Sequence, residues 1–407
     1  MEVIYERCCG IDVHKKSIVA CLMVGKKKET RTFGTMTDDI IEMMEWLSDN
    51  ECEAIAMEST GVYWKPVYNL LELFGLGWEI IVASARHIKT VPGRKTDVKD
   101  AEWIASLVKH GLINPSFIQN REQREIKEMV RYRKSLVEER SREMNRLEKV
   151  LEGANVKLSS VVSELTGTSS RNILYALVND TLNKDTITDM IHYSMRDKAD
   201  ELLRACRGKF SDTQKVLIKA MLAHIDDMTR RIEDMDDFLD GKLKEYDETL
   251  KRLQEIPGVG DRSAQVIISE IGIDMSRFPS AKHIANWVGL CPGNNESAGK
   301  KFSGKTGKGN KTLKTTLIQC AQVASRSKDS FFKAQYDRLV VRRGAKRAKV
   351  AVAHSMLIAI YNMLKNDDKF KDLGIDYYIK FNSEKKINYH LGKLNKLGWA
   401  PPIGVTA

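Results

Sequence analysis

The sequence predicts an α/β domain at the N-terminus, an α-helical middle built on long apolar seams, and a mainly α C-terminal domain. Three observations carry this. Up to about residue 118 short apolar runs interleave with helical ones. Between 119 and 250 two stretches repeat apolar residues at seam spacing. From 251 on, helical patterns are punctuated by glycine-rich turns. The expected domains are 1–118, 119–250, 251–365 and a tail, 366–407.

In the first domain, Arg7–His14 and Ser17–Val24 are apolar runs joined by a polar turn, hence a hairpin, and Glu29–Thr35 is a weaker third strand. Asp38–Asn50 has helical periodicity. Glu53–Met57 is a buried strand, Gly61–Leu73 a helix, Glu79–Ala83 a strand and Asp97–His110 an amphipathic helix. Strands interleaved with helices in this order make a mixed sheet covered by helices.

Four acids stand at informative places in that order. Asp12 lies inside a strand, where an acid has low propensity, among residues that read as buried. Glu58 ends a neighbouring strand, and Asp97 and Asp100 share one face of a helix start. Singly, each has an ordinary reading as a cap or a surface charge. Together, carboxylates on one spot repel unless a cation compensates, and hard oxygen donors suit Mg2+ or Mn2+. The set resembles the acidic quartet of RNase H-like and RuvC-like nucleases.

In the middle, Val130, Val137, Met144 and Leu151 repeat every seven residues, while the companion positions Ile126, Arg133, Arg140 and Leu147 are half polar. Ile218, Met221, Ile225, Met228, Ile232, Met235 and Leu239 alternate steps of three and four. That seam is expected to mediate self-association to a dimer or tetramer. An antiparallel hairpin within one chain satisfies it equally. Residues 153–211 read as short helices.

The C-terminal domain opens with Ile256-Pro257-Gly258-Val259-Gly260 before a helix. This matches a helix-hairpin-helix segment offering amides to a phosphate, and matches a plain tight turn equally well. Ser280–Val288 and Thr312–Ser325 are helical and flank Cys291–Leu313, a stretch in which lysines alternate with glycines. Ser297 and Ser303 are candidate nucleophiles in it, or ordinary loop hydroxyls. Lys300, Lys301, Lys305, Lys308 and Lys311 suit a phosphodiester backbone, and the glycines allow its close approach. Arg342, Arg343, Lys346, Arg347 and Lys349 form a basic turn into the helix Val350–Lys365. In the tail, Tyr377, Tyr378, Tyr389 and Trp399 among lysines suit either base stacking or packing onto the domain.

The chain carries 66 Lys+Arg against 55 Asp+Glu, a net +11, in 407 residues. Between Lys300 and Lys349 there are 15 basic residues and two acids, so this window holds more than the whole surplus. A focused field of that sign points to nucleic acid. The seven cysteines include no CxxC pair and no zinc spacing. They read as reduced thiols of a cytoplasmic protein. No cleavable signal and no apolar run of membrane length is present, so a membrane is not an expected partner.

Taken in order, GIDVHK (Gly10–Lys15), ESTGVYW (Glu58–Trp64), KTDVKDAEWIA (Lys95–Ala105), IPGVG (Ile256–Gly260) and GLCPGNNESAGKK (Gly289–Lys301) form a specific set. The chain resembles the DEDD transposases of the IS-one-ten insertion-sequence family, bridge-RNA-guided DNA recombinases, from about Arg7 to about Lys365. The resemblance implies a RuvC-like domain, a coiled-coil region and a transposase domain. It places the acidic quartet on Asp12, Glu58, Asp97 and Asp100, and the serine nucleophile on Ser297 rather than Ser303. It also implies donor and target DNA and a guide RNA as partners. Glu296 and Ala298 depart from the Ser-Ser-Gly-Gly-like pattern usual around that serine.

The expected function is therefore a site-specific recombinase of a mobile element. Ser297 would hold DNA through a phosphoserine, helped by a divalent ion on the quartet. A second enzyme reading is a metal-only, structure-selective nuclease in which Ser297 is inert. A third is a non-catalytic architectural or RNA-binding protein. The intact quartet speaks against the third and the serine stretch against the second.

Overall fold

The structure, a computed structural model, describes residues 2–59, 61–85, 88, 100–293, 295–297 and 300–398. It divides into two compact units, Met1–Arg121 and Glu122–Ala407.

The first unit is a five-stranded mixed sheet ordered β3-β2-β1-β4-β5. β1 (Arg7–Val13), β2 (Ile18–Val24) and β3 (Lys27–Phe33) form an antiparallel meander, and β4 (Ala54–Glu58) and β5 (Glu79–Ala83) add in parallel. The third strand starts two residues earlier than its weak alternation suggests. β3 is exposed along nearly all its length, and its Lys, Glu and Arg side chains guard a free edge.

Side chains alternate across the sheet. On one face Cys9, Ile11, Ile18, Ala20 and Leu22 pack against α1 (Thr37–Asp49) and α2 (Trp64–Phe74) through Ile40, Met43, Leu47, Val67 and Leu71. On the other, Cys8, Ala54 and Ala56 pack against Ile104, Leu107 and Val108 of α3 (Asp100–Lys109). α2 begins at Trp64 rather than Gly61, so Pro66 falls in its first turn, where a missing N–H costs nothing. Cys8, Cys9, Cys21 and Cys52 are fully buried or nearly so, and desolvation lifts Cys8 to about 11 and Cys52 to about 12. These thiols are inert fillers of the sheet.

The second unit is helical apart from one short ribbon. α4 (Arg121–Gly153) and α8 (Asp212–Lys242) are its longest helices, with α5 (Thr168–Val178), α6 (Lys184–Met190) and α7 (Ala199–Ala205) between them. The α8 seam is covered within the chain. Ile218, Leu222, Ile225 and Met228 share a core with Leu147 and Leu151 of α4. The pairings Arg133–Asp236 and Arg140–Thr229 descend along α8 as they ascend along α4, so the two form an antiparallel hairpin. They also explain the polar seam positions, because Arg133 and Arg140 find oxygen acceptors across the hairpin. On α4 the buried row is Ile126, Val130, Leu136, Glu143, Leu147 and Leu151. It follows the strict heptad only in part, since Leu136 and Glu143 fall one residue before Val137 and Met144.

This corrects the expectation that the Ile218–Leu239 seam joins protomers. Charged replacements at Ile225 and Ile232 are expected to unfold the hairpin rather than to release folded monomers. Burying an unpaired carboxylate there costs more than about 4 kcal/mol. A thermal melt shows the difference, and folded monomers of unchanged melting temperature would contradict the internal hairpin.

The rest of this unit comprises α9 (Asp247–Gln254), α10 (Asp261–Ile271), α11 (Ala281–Val288), α12 (Lys311–Ala324), α13 (Phe331–Arg343), α14 (Ala345–Asn366) and α15 (Tyr377–Lys396). The Pro-Gly-Val-Gly turn joins α9 to α10. Gly258 has φ +87°, and a Cβ there would collide with Cys320 O and lie 2.8 Å from Ala324 N of α12. Packing on α12 therefore accounts for this glycine, in line with the tight-turn reading. α14 begins at Ala345, so Lys346 and Arg347 sit in its first turn and Lys349 just after it, rather than in a preceding loop. In the tail, Tyr377 and Tyr378 stand 5.1 and 5.4 Å from the Phe331 ring, and Arg338 lies over Tyr378 at 4.2 Å. They are packed onto the domain. Tyr389 is exposed, and Trp399 lies outside the described residues.

Candidate active site: a carboxylate cluster and a serine ribbon

The carboxylate cluster is built by strand register and one close helix contact. Cys8, Gly10 and Asp12 share the α3 face of β1. Gly10 has no side chain because α3 occupies that space. A Cβ there would collide with Ala101 O and Ala105 N and lie 2.9 Å from Ala105 Cα. The helix also meets this contact with small residues, Ala101 and Ala105, one turn apart. Glu102 pairs with Lys28, and Lys109 donates to Gly25 O, which holds both ends of the helix. With α3 pressed on Gly10, its first residue, Asp100, reaches the level of Asp12. On the other side β1 pairs with β4 in parallel, Ile11 opposite Met57, so Glu58 comes beside Asp12 at the carboxyl end of the sheet.

Burial raises the Asp12 carboxyl above its ordinary range; His14 pulls it down, and the neighbouring charges of Asp100 and Glu58 push it up further. Asp100 and Glu58 thus lie near enough to Asp12 for their charges to act on it, and Asp97 lies outside the described residues. Among the described residues no three Asp, Glu, His or Cys side chains form a group arranged to hold an ion. The donors that do converge are all carboxylate oxygens, which fits a hard divalent cation in kind.

His14 was not anticipated. Its Nε2 lies 3.0 Å from Asp12 Oδ2, with the imidazole 61% exposed and the carboxylate 20% exposed. The signal was present in the sequence, since residues two apart on a strand share a face.

Ser297 belongs to the second unit, and its surroundings are a ribbon rather than an open loop. β6 (Asn295–Ser297) pairs antiparallel with β7 (Lys300–Ser303), with Ser297 opposite Lys300. Ser297–Lys300 is therefore the terminal pair at one end of the ribbon. Ser303, opposite Asn295, lies at the other end of the pairing. The ribbon continues through a Pro292–Thr306 bridge and two backbone bonds, Gly293 N to Lys305 O at 2.9 Å and Gly307 N to Cys291 O at 3.4 Å.

The glycines of this stretch divide. A Cβ on Gly304 or Gly307 would meet nothing within 4 Å, which leaves the room expected for a ligand. A Cβ on Gly309 would stand 2.5 Å from Gly289 N and Trp287 O, so that glycine serves packing against the end of α11. Lys305, Lys308 and Lys311 are exposed, as are Arg342, Arg343, Lys346 and Arg347. Lys349 Nζ donates to Gln322 Oε1 at 3.1 Å, near the end of α12, whereas Lys311 begins that helix. The two basic groups are thus separated along α12 by about 16 Å, or about five base pairs of duplex.

Two family models match the chain. A DEDD transposase model covers residues 9–156 and contains all four acids, and a model described as transposase of the IS116/IS110/IS902 family covers residues 250–337 and contains Ser297. Both models describe IS110-family transposases, and between them they match over half of the chain. The transposase for insertion sequence element IS1328 of Yersinia enterocolitica is 31% identical over 26% of this chain and 32% of its own length. A 43.6 kDa insertion element IS110 protein of Streptomyces coelicolor is 31% identical over 28% of each. A "Probable family 20 transposase" of Pseudomonas aeruginosa is 24% identical over 78% of this chain and 85% of its own. The chain spans about a third of the length of the first curated relatives it matches. The two matched regions fall on the two parts of the molecule that carry candidate chemistry. No helix among the described residues is long and apolar enough to cross a membrane.

Proposed function

We propose that this IS110-family protein is a transposase that recombines the DNA of a mobile element, guided by a bridge RNA, through a phosphoserine on Ser297. The observation that carries the reading is the placement of Asp12, Glu58 and Asp100 at one end of the sheet, where the charges of Asp100 and Glu58 raise the Asp12 carboxyl. Asp12, Glu58, Asp97 and Asp100 would hold Mg2+ or Mn2+. When bound, such an ion polarises a phosphodiester or its leaving oxygen. Ser297 Oγ attacks phosphorus, its proton is lost, and one deoxyribose oxygen departs as a hydroxyl. Attack by a DNA hydroxyl on the phosphoserine reverses this, so the bond energy is kept and no nucleotide triphosphate is needed. Ser297 lies in the terminal pair of the ribbon, a placement that suits insertion beside a duplex. Because one chain supplies one matching serine and two DNA partners must be held, two or more protomers take part.

Denaturing electrophoresis with labelled DNA tests the serine step. A band at the mass of protein plus DNA is expected. Free cleaved ends without such a band would favour the metal-only nuclease. RNA guidance rests on the family resemblance and the basic surface. Removal of co-purified RNA is expected to stop recombination until transcript from the element's flank is restored; equal activity without RNA would refute guidance.

The exposed lysines are proposed to hold the phosphate backbone together with Lys300, Lys301 and the α13–α14 group. Replacing Lys305, Lys308 and Lys311 by Gln is expected to flatten the dependence of log affinity on log salt. Each lost duplex-phosphate contact removes about 0.9 from the slope. An unchanged slope would place the contacts elsewhere.

A further inference from the structure

Glu270 is a buried carboxylate, 1% exposed, in the last turn of α10. It accepts two hydrogen bonds from Arg131 of α4, Nε at 2.7 Å and Nη2 at 2.8 Å. It accepts a third from Asn310 Nδ2 at 2.6 Å. Asn310 in turn caps α12, its Oδ1 receiving Leu313 N at 3.1 Å. Taking the Glu270 carboxylate out of water costs several kcal/mol while the Arg131 side chain stays 47% exposed, and a well-packed apolar side chain fills the same space without that cost. The stability of these helices therefore does not call for the pair. What the pair supplies is direction, since a bidentate guanidinium–carboxylate contact fixes the relative orientation of the elements that carry it.

Those elements meet where the serine ribbon ends. Asn310 directly follows Gly309, whose backbone is pressed against Trp287 O and Gly289 N, and Asn310 N itself donates to Trp287 O at 3.3 Å. Lys314 Nζ, one turn into α12, reaches back to Thr306 Oγ1 at 2.6 Å and Gly307 O at 3.3 Å on the returning strand. Nearby, Lys134 Nζ of α4 lies 3.5 Å from Thr316 Oγ1 of α12. The ribbon is thus gripped at its base, and the grip leads through Asn310 to Glu270 and from there to the long hairpin.

We propose that Glu270 is the positioning residue for Ser297. With Arg131 and Asn310 it clamps the base of the serine ribbon to the long helical hairpin and so sets where the ribbon presents its hydroxyl to a phosphodiester. This inference rests on the phosphoserine reading above. It adds a residue that touches neither DNA nor metal and acts through the ribbon.

The test uses Glu270→Gln and Asn310→Ser in the full-length protein. Asn310→Ser keeps a capping hydroxyl for α12 but is too short to reach Glu270, so it serves even where Glu270→Gln does not fold. Amide hydrogen exchange is followed at Gly293 and Gly307, which bridge the ribbon base, with Leu317 and Cys320 inside α12 as internal reference. Single-turnover formation of the covalent adduct and affinity for DNA are measured on the same samples. Expected are exchange about tenfold faster at the two ribbon amides with α12 unchanged, and adduct formation slowed by between about tenfold and a hundredfold at unchanged affinity. Unchanged exchange at Gly293 and Gly307 in folded Asn310→Ser would show that the clamp does not hold the ribbon, and would overturn the proposal. Faster exchange with an unchanged adduct rate would overturn it too, because the ribbon would then be held for a reason other than chemistry. A wild-type protein that forms no adduct removes the phosphoserine reading itself, and that failure is seen before any variant is compared.

Discussion

Asp12→Asn is expected to lower DNA cleavage by about a thousandfold or more while the protein stays folded and binds DNA as before. Losses of that size follow removal of one member of a catalytic set. Asparagine has the shape of aspartate and offers an oxygen to His14, whose Nε2 lies 3.0 Å from the carboxylate. What it lacks is the charge that offsets a divalent cation. Removing that charge also relieves the crowding among Asp12, Asp100 and Glu58, so the fold has no reason to weaken. Chelation of divalent ions should reproduce the loss in the unmodified protein, with circular dichroism unchanged. Full cleavage by folded Asp12→Asn would remove the metal assignment.

Gly10→Ala has the second-largest expected effect, and acts through structure alone. The added methyl would run into Ala101 O and Ala105 N, which are main-chain atoms and cannot rotate aside. The helix must lift off the sheet, which uncovers Ile104, Leu107 and Val108 and carries Asp100 away from Asp12. Overpacking of this kind costs about 3 kcal/mol, and here it also breaks the acidic cluster. We expect a lower denaturation midpoint for the first unit together with lost cleavage. Trimming the facing side chain, Ala105→Gly, should not rescue it, because the obstruction is backbone. A Gly10→Ala protein of normal stability and activity would mean that α3 does not need its close approach.

The alternation of apolar and polar residues made much of the first unit legible, because a strand with one acid among buried neighbours has few explanations. Asp12 is the clearest case. Its partners followed from element order, since the carboxyl ends of adjacent parallel strands lie together. Gly10 was harder to read. A glycine in a strand announces a close approach but does not say of what. The α8 seam shows the complementary limit. Periodicity tells which face of a helix is covered and leaves open whether α4 or a second chain covers it. Only Arg133 and Arg140, polar residues at seam positions that needed acceptors, carried a hint of the hairpin partner. The Ser297 ribbon was hidden because residues 291–307 have no apolar alternation; their pairing comes from backbone bonds to the returning strand. Glu270 did leave a trace. It sits three residues after Ile267 and next to Ile271, an acid on an apolar face, which calls for a buried partner, although Arg131 and Asn310 are far from it in sequence.

The most direct test of the account is to find which residue carries DNA. The covalent product of labelled DNA and the protein would be digested with nuclease and trypsin, and the nucleotide-bearing peptide identified by mass spectrometry. Trypsin separates His283–Lys300, which contains Ser297, from Phe302–Lys305, which contains Ser303. The account predicts a nucleotide on His283–Lys300, fragmenting to Ser297 and absent from Ser297→Ala and Asp12→Asn proteins. A nucleotide on Ser303, or cleaved DNA with no modified peptide at all, would contradict it.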